Sequence, residues 1–265
     1  MCSKKRSDKG MIMSEQQKKQ REPELYASDL QLGYEGRALV SHLNFTVRHG
    51  DYLCIVGENG AGKSTLMRTI LGLQKPMGGE VHYGDGLSSE MIGYLPQQSD
   101  LQRDFPASVR EIVLSGFQGQ LGKRFFYTRE MKQAVQENLA RMGISDLADQ
   151  SFSALSGGQK QRVMLARAVS ASRRMLLLDE PVAGLDPSAQ EEMYRLIREL
   201  NKDGTTIVMI SHDIVSALQY ATHILHVGKE LFFGTVQDYH RTRIGKPHLL
   251  GEEKTKSAIR LSHPM

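Results

Sequence analysis

The sequence predicts an α/β fold with a mostly parallel sheet, an antiparallel β subdomain on its N-terminal side, and a helical insert. Three observations carry this. Unbroken apolar runs, YLCIV, MLLLD and TTIVMI, alternate with helical stretches, and such runs suit strands covered on both faces. LYASDLQLGY and LNFTV alternate apolar with polar residues, as half-solvated strands do. Residues 98–154 carry a helical period instead.

Taken in order, residues 1–22 hold seven bases against three acids and few apolar groups, which predicts a disordered basic leader. Residues 23–240 form the folded body, and 241–265 a C-terminal tail too polar and irregular to assign. After the first two strands, HGD turns the chain into YLCIVG. A glycine-rich turn and a helix through Leu66, Ile70 and Leu71 follow, with Gly72 as its C-cap. IGYLPQ reads as a strand ended by Pro96. In the insert, Ser108 and Glu111 suggest a capping box for VREIVLSG, and Val135, Leu139 and Met142 make a stripe ended by Gly143. GGQKQRVMLARAVSA is helical, and the helix that follows MLLLDE has Asp186 as its cap and Gly204 as its stop. ILHVGKELFFG reads as a hairpin.

The formal charge of +4 is carried by the leader, so the body has no diffuse basic footprint and nucleic acid is not an expected partner. No run approaches the ~18 apolar residues that cross a bilayer, so a cytoplasmic location is expected. Cys2 and Cys54 offer no disulfide framework, and Cys54 in YLCIV reads as a small buried hydrophobe. Among the histidines, His223, His226, His240, His248 and His263 make no metal-ligand spacing; strand alternation sets His223 and His226 on opposite faces.

GENGAGKST, residues 57–65, explains its own glycines. It fits G-x-x-x-x-G-K-[ST] between a strand and a helix, the context that the P-loop of an NTPase requires. Glycines allow successive N–H groups to face one concavity, and the helix start adds roughly half a positive charge. Phosphates suit that concavity. The residues expected to hold a nucleoside triphosphate are therefore Gly57, Asn59, Gly60, Ala61, Gly62, Lys63, Ser64 and Thr65, with Lys63 at the terminal phosphates, Ser64 on Mg²⁺ and Thr65 on an earlier phosphate. The acids ending MLLLDE complete the chemistry: Asp179 for the metal, through water, and Glu180 as general base toward the attacking water.

From Leu25 to Phe233 the motifs together resemble the nucleotide-binding subunits of ABC transporters. LSGGQKQR, residues 155–162, is the specific mark, about twenty residues ahead of MLLLDE. The resemblance implies that Ser156, Gly157, Gly158 and Gln159 of one copy close over ATP held by a second, making a homodimer. It implies that Tyr34 stacks on adenine, that Gln97 touches magnesium and water, that Asp186 is the D-loop aspartate, and that His212 contacts the γ-phosphate. It also implies integral membrane permease subunits, with an extracytoplasmic substrate-binding protein in the same system. The ATPase would lie at the cytoplasmic face of the membrane. Phe105, Val109, Ile112, Val113 and Phe117 exceed what a surface helix needs, so some are expected to line a groove for the permease. IGYLPQ with DFPASVREIVLSG looks most like zinc or manganese importers, with ferric-siderophore or cobalamin importers as the alternative. A soluble ABC ATPase acting on DNA or ribosomes is disfavoured: the gap between the P-loop and LSGGQ is too short for a long coiled coil, and there is no second cassette.

Overall fold

The structure is a computed structural model that describes residues 23–34, 36–84, 86–97, 106–172 and 174–246. Its centre is a six-stranded sheet in which the runs β3 (Tyr52–Val56), β6 (Met175–Asp179) and β7 (Thr206–Ile210) are buried along their whole length. With β5 (Ile92–Leu95), β8 (His223–His226) and β9 (Phe232–Thr235) the order is β5-β6-β7-β3-β8-β9. All neighbours are parallel except the β8–β9 hairpin.

Alternation along β3 divides the core into two. Tyr52, Cys54 and Val56 face the core shared with the helices, whereas Leu53 and Ile55 face the core shared with the smaller sheet. Burial raises the Cys54 thiol far above its ordinary range, consistent with an inert, packed side chain.

The smaller sheet, in order β2-β1-β4, is antiparallel and comprises β1 (Pro23–Tyr34), β2 (Arg37–Arg48) and β4 (Gly78–Tyr83). It is joined to the large sheet by Glu24, which is buried. Its Oε1 accepts from Arg174 Nε at 2.8 Å and lies 3.1 Å from His49 Nδ1, while Oε2 accepts from Thr206 Oγ1 at 2.6 Å. A carboxylate so placed is buried at tolerable cost because each oxygen has a donor. β4 has only half-buried and exposed positions, so its pattern carries no clear strand period.

In chain order the helices are α1 (Lys63–Ile70), α2 (Val109–Ser115), α3 (Arg129–Arg141), α4 (Gly157–Ala171), α5 (Pro187–Lys202), α6 (Ile214–Tyr220) and α7 (Val236–Arg241). Leu71 is the C-cap of α1, one position earlier than the sequence suggests, and Gly72 follows it in the left-handed conformation. The Ser108–Glu111 capping box is present, and Val135, Leu139 and Met142 are buried before Gly143 at φ 67°. Val109, Ile112, Val113 and Phe117 are buried in the main core, where α2 packs on α3 and α4, so the chain itself covers the four residues expected to face a permease; Phe105 lies outside the described residues. The insert shares the core of the large sheet, and that continuity consumes its surplus of apolar groups. α6 and α7 were not foreseen. Both are short, and α7 is fixed by the Thr235 cap and by the buried ring of Tyr239.

Candidate functional site

Parallel strands end on one edge of a sheet, and here the turns leaving β3, β5, β6 and β7 gather the candidate residues. β3 runs into Gly57 at φ 146°, where a Cβ would lie 1.9 Å from the carbonyl oxygen of Val227. No other residue fits. The turn closes at Gly62, the N-cap of α1, with φ 100° and no side-chain acceptor for the helix N–H groups. Lys63 folds back over the turn, donating from Nζ to the carbonyl oxygens of Gly57 (2.8 Å) and Glu58 (2.9 Å). Burial lowers its pKa, while the charges of Glu180 and Asp179 work against that fall.

Opposite this turn, β6 delivers Asp179 and Glu180. Asp179 is 6% exposed and its Oδ1 has no hydrogen-bond partner among the described residues. Burial raises its pKa, Glu180 raises it further, and His212, Lys63 and Arg68 oppose the rise. Glu180 adopts φ 51°, a left-handed conformation that costs a residue with a Cβ roughly 1–2 kcal/mol. This turn out of strand geometry carries Glu180 to the cleft, while Asp179 stays buried at the strand end, its charge coupled to Lys63. The Glu180 carboxylate accepts from Gln97 Nε2 at 3.0 Å through Oε2, and its Oε1 pairs with His212 Nε2. The three residues assigned to catalysis from sequence therefore meet at one carboxylate.

A cleft of about 230 Å³ lies over this ground. Tyr34 and Leu39 wall it on one side, Glu180 and His212 on another, and Asn59, Gly60, Gly62, Lys63, Ser64 and Thr65 line the rest. Gly57, Ala61, Gln97 and Asp179 are not among the residues that line it. The Tyr34 hydroxyl lies 2.6 Å from Thr65 Oγ1, with the ring about half exposed. Leu39 was missed by sequence reading; it stands on β2 as one of three consecutive exposed residues, where no alternation marks it.

The signature residues lie elsewhere. A second cleft, about 460 Å³, is lined by Ser156, Gly157, Gly158 and Gln159 together with Leu185 and Asp186, and shares no lining residue with the first. Ser156 Oγ accepts from Gln159 N (3.3 Å), and Gln159 Oε1 accepts from Ser156 N (2.9 Å), a reciprocal cap on α4. Asp186 Oδ1 caps α5 at Ala189 N, 3.0 Å away. Arg162 and Glu192 pair across this cleft, and neither was singled out from sequence.

Of the remaining histidines named from sequence, His223 and His226 have hydroxyl neighbours, and His248 and His263 lie outside the described residues. His223 Nδ1 lies 3.0 Å from Thr222 Oγ1 and His226 Nδ1 3.0 Å from Tyr239 OH. No cluster of three or more metal-ligating side chains occurs among the described residues.

Residues 40–183 match the sequence family described as ABC transporter. The chain belongs to this family. As an ABC ATPase it binds and hydrolyses ATP. It is 38% identical to the zinc import ATP-binding protein ZnuC of Marinobacter nauticus, over 73% of this chain and 70% of that one. It is 35% identical to the manganese transport system ATP-binding protein MntB of Bacillus subtilis, over 76% and 82%. Among solved structures it resembles CbiO1 of Clostridium perfringens, part of the ABC transporter complex CbiONQ, with TM-score 0.72 and 30% identity over 84% of this chain and 92% of that one. No helix among the described residues of this ABC ATPase is long and apolar enough to cross a membrane.

Proposed function

We propose that this ABC ATPase energises import of a transition-metal ion such as zinc or manganese, as a homodimer bound to integral permease subunits at the cytoplasmic face of the membrane. An extracytoplasmic substrate-binding protein would deliver the cargo. The observation that carries the catalytic reading is the convergence of Gln97 and His212 on Glu180, facing the Lys63 turn across one cleft. The zinc import and manganese transport relatives support the cargo.

In this reading the backbone N–H groups of the P-loop and Lys63 hold the phosphates of ATP, and the Tyr34 ring stacks on adenine. Lys63 now donates to two neutral carbonyl oxygens, so binding exchanges those acceptors for anionic phosphate oxygens, with charge on both partners. Glu180 takes the proton of the attacking water. Gln97 orients that water, and His212 meets the terminal phosphate. Ser64, Gln97 and Asp179 would hold Mg²⁺, and the unpartnered buried oxygen of Asp179 fits that task. When bound, Mg²⁺ supplies positive charge against the phosphate oxygens.

The separation of the two clefts supports a two-copy site, in which Ser156, Gly157, Gly158 and Gln159 of one copy face ATP on the P-loop of the other, with Asp186 beside them. Glu180→Gln tests the core of the proposal. Phosphate release should fall about 100-fold or more while ATP affinity is kept, and the ATP-loaded variant should run at dimer mass in light scattering. Undiminished release removes Glu180 as the base, and a monomer at high concentration removes the shared site. For cargo, the complex in proteoliposomes should hydrolyse faster with binding protein loaded with zinc or manganese than with ferric siderophore.

A further inference from the structure

The two most exposed aromatic rings among the described residues sit side by side on a turn outside both clefts. Phe125 is 93% exposed and Phe126 85%, in the connection between α2 and α3. A ring left in water forgoes burial worth about 1.5–3 kcal/mol, so two together need a reason.

The turn is presented on a firm base. Before it, Gln120 Nε2 donates to the carbonyl oxygens of Ser170 and Ala171, both at 2.9 Å. Arg124 N donates to Leu121 O at 3.0 Å. After it, Tyr127 packs on the main core, and Thr128 Oγ1 caps α3 through Met131 N. A segment held at both ends loses little freedom when it docks.

Its charge has one sign. Lys123, Arg124 and Arg129 are exposed, and residues 112–129 contain no acid. Glu111 and Glu130 flank that stretch, each carboxylate engaged by the serine or threonine hydroxyl at its own helix start. Cations next to aromatic rings match the chemistry of a lipid surface, where phosphates meet the positive groups and rings settle at headgroup depth. A protein partner is the poorer fit. Specific interfaces bury about 800 Å² on each side and are depleted in lysine, whereas this turn offers a short exposed run that includes Lys123.

We infer that the 123–126 turn docks this ATPase onto an anionic lipid surface, with Phe125 and Phe126 in the headgroup layer and the flanking cations on lipid phosphates. The inference goes beyond the transport reading and uses no residue of either cleft. Two rings and three charges make the paired apolar and electrostatic signal that reversible membrane binding requires.

The chain contains no tryptophan, so Phe126→Trp installs a single reporter. With vesicles of mixed phosphatidylcholine and phosphatidylglycerol its emission should shift to the blue and be quenched by brominated lipid, and phosphatidylcholine alone should leave it unchanged. Co-sedimentation of the full-length Phe125→Ser/Phe126→Ser variant should weaken about ten-fold, and that of Lys123→Ala about five-fold, the effect expected of one cation near an anionic leaflet. Residues 1–22 are themselves basic, so each comparison is between chains that differ only at the turn. The inference is overturned if the protein binds vesicles with the reporter unshifted, or if the double serine variant binds as well as the parent. A shift that appears only with the permease present also overturns it and assigns the turn to a protein. Loss of nucleotide binding or hydrolysis would leave these readouts unchanged, so the two proposals fail separately.

Discussion

The two glycine-marked helix starts, at Gly62 and at Ser156, are alike in composition and opposite in how they satisfy themselves. At α1 the N-cap has no side-chain acceptor, no acid follows in the first turn, and the backbone is left-handed. At α4 the serine and glutamine close a complete capping box. The glycines differ too. Gly57 and Gly62 are demanded by backbone conformation, and Gly57 also by the Val227 carbonyl. Gly157 and Gly158 have no positive φ, and a Cβ there would meet Leu185 Cδ2 at 3.9 Å or Ala189 Cβ at 3.4 Å, ordinary contacts. One chain therefore does not need glycine at 157 or 158. Their smallness leaves room for something that arrives from outside, which accords with a site completed by a second copy.

The largest test of that contrast is Gly157→Asp. A carboxylate in the first turn of a helix is stabilising by about 0.3–1 kcal/mol, so the melting temperature should hold or rise slightly. Turnover should nevertheless fall by about 100-fold or more, because the same charge repels phosphate at that start. ATP binding to the separate chain, through its intact P-loop, should persist. Normal phosphate release by this variant would leave α4 a capped helix and nothing more. Next in size is Lys63→Ala, expected to weaken ATP binding by roughly 10- to 100-fold, the range for one hydrogen-bonded charge. Isothermal titration of the two variants side by side separates a start that binds nucleotide alone from one that acts only in the assembled pair.

How much of this was legible beforehand follows the same physics. β3, β6 and β7 could be read because full burial leaves an uninterrupted apolar run, and the P-loop because its glycines answer to local geometry. β4 and Leu39 could not, since their burial or exposure depends on a neighbouring strand and not on a period within their own segment. The Glu24 network joins residues up to 182 positions apart, so no local pattern announces it. The insert misled for a related reason: its apolar surplus is real, but the neighbouring helices α3 and α4, not a permease, cover Val109, Ile112, Val113 and Phe117. The meeting of Gln97, Glu180 and His212 was expected only through family likeness; the left-handed Glu180 that permits it has no sequence signature.

Ser156→Ala sharpens the comparison with a smaller effect. Losing the hydroxyl costs α4 one arm of its capping box, about 1 kcal/mol, or a fall of roughly 2–4 °C in melting temperature for a chain of this size. Thermal denaturation without nucleotide checks it. No drop at all would mean that the cap contributes nothing to the fold, and that Ser156 is kept for its ligand.

Asp179→Asn gives the smallest expected change and probes the other side of the contrast, the end of the site that leaves its polar atoms unsatisfied. Burial, then the charge of Glu180, raises the Asp179 pKa in the folded protein above its unfolded value near 3.9. The sign follows by linkage: a carboxyl whose pKa rises on folding binds its proton more tightly in the native state, so its ionised form opposes folding. That opposition is absent below the unfolded pKa, grows as pH climbs through the folded pKa, and is complete above it. The asparagine variant, free of the charge, should therefore melt higher than the parent at neutral pH without nucleotide, by about 2–4 °C for each kcal/mol recovered. The gap should close as pH is lowered below the unfolded value, where the parent carboxyl is protonated in both states. Added Mg²⁺ and ATP should reverse the order at neutral pH, stabilising the parent more than the variant. A gap that does not vary with pH would mean that the substitution acts through packing, and Asp179 would lose its standing as the charge held ready for a cation.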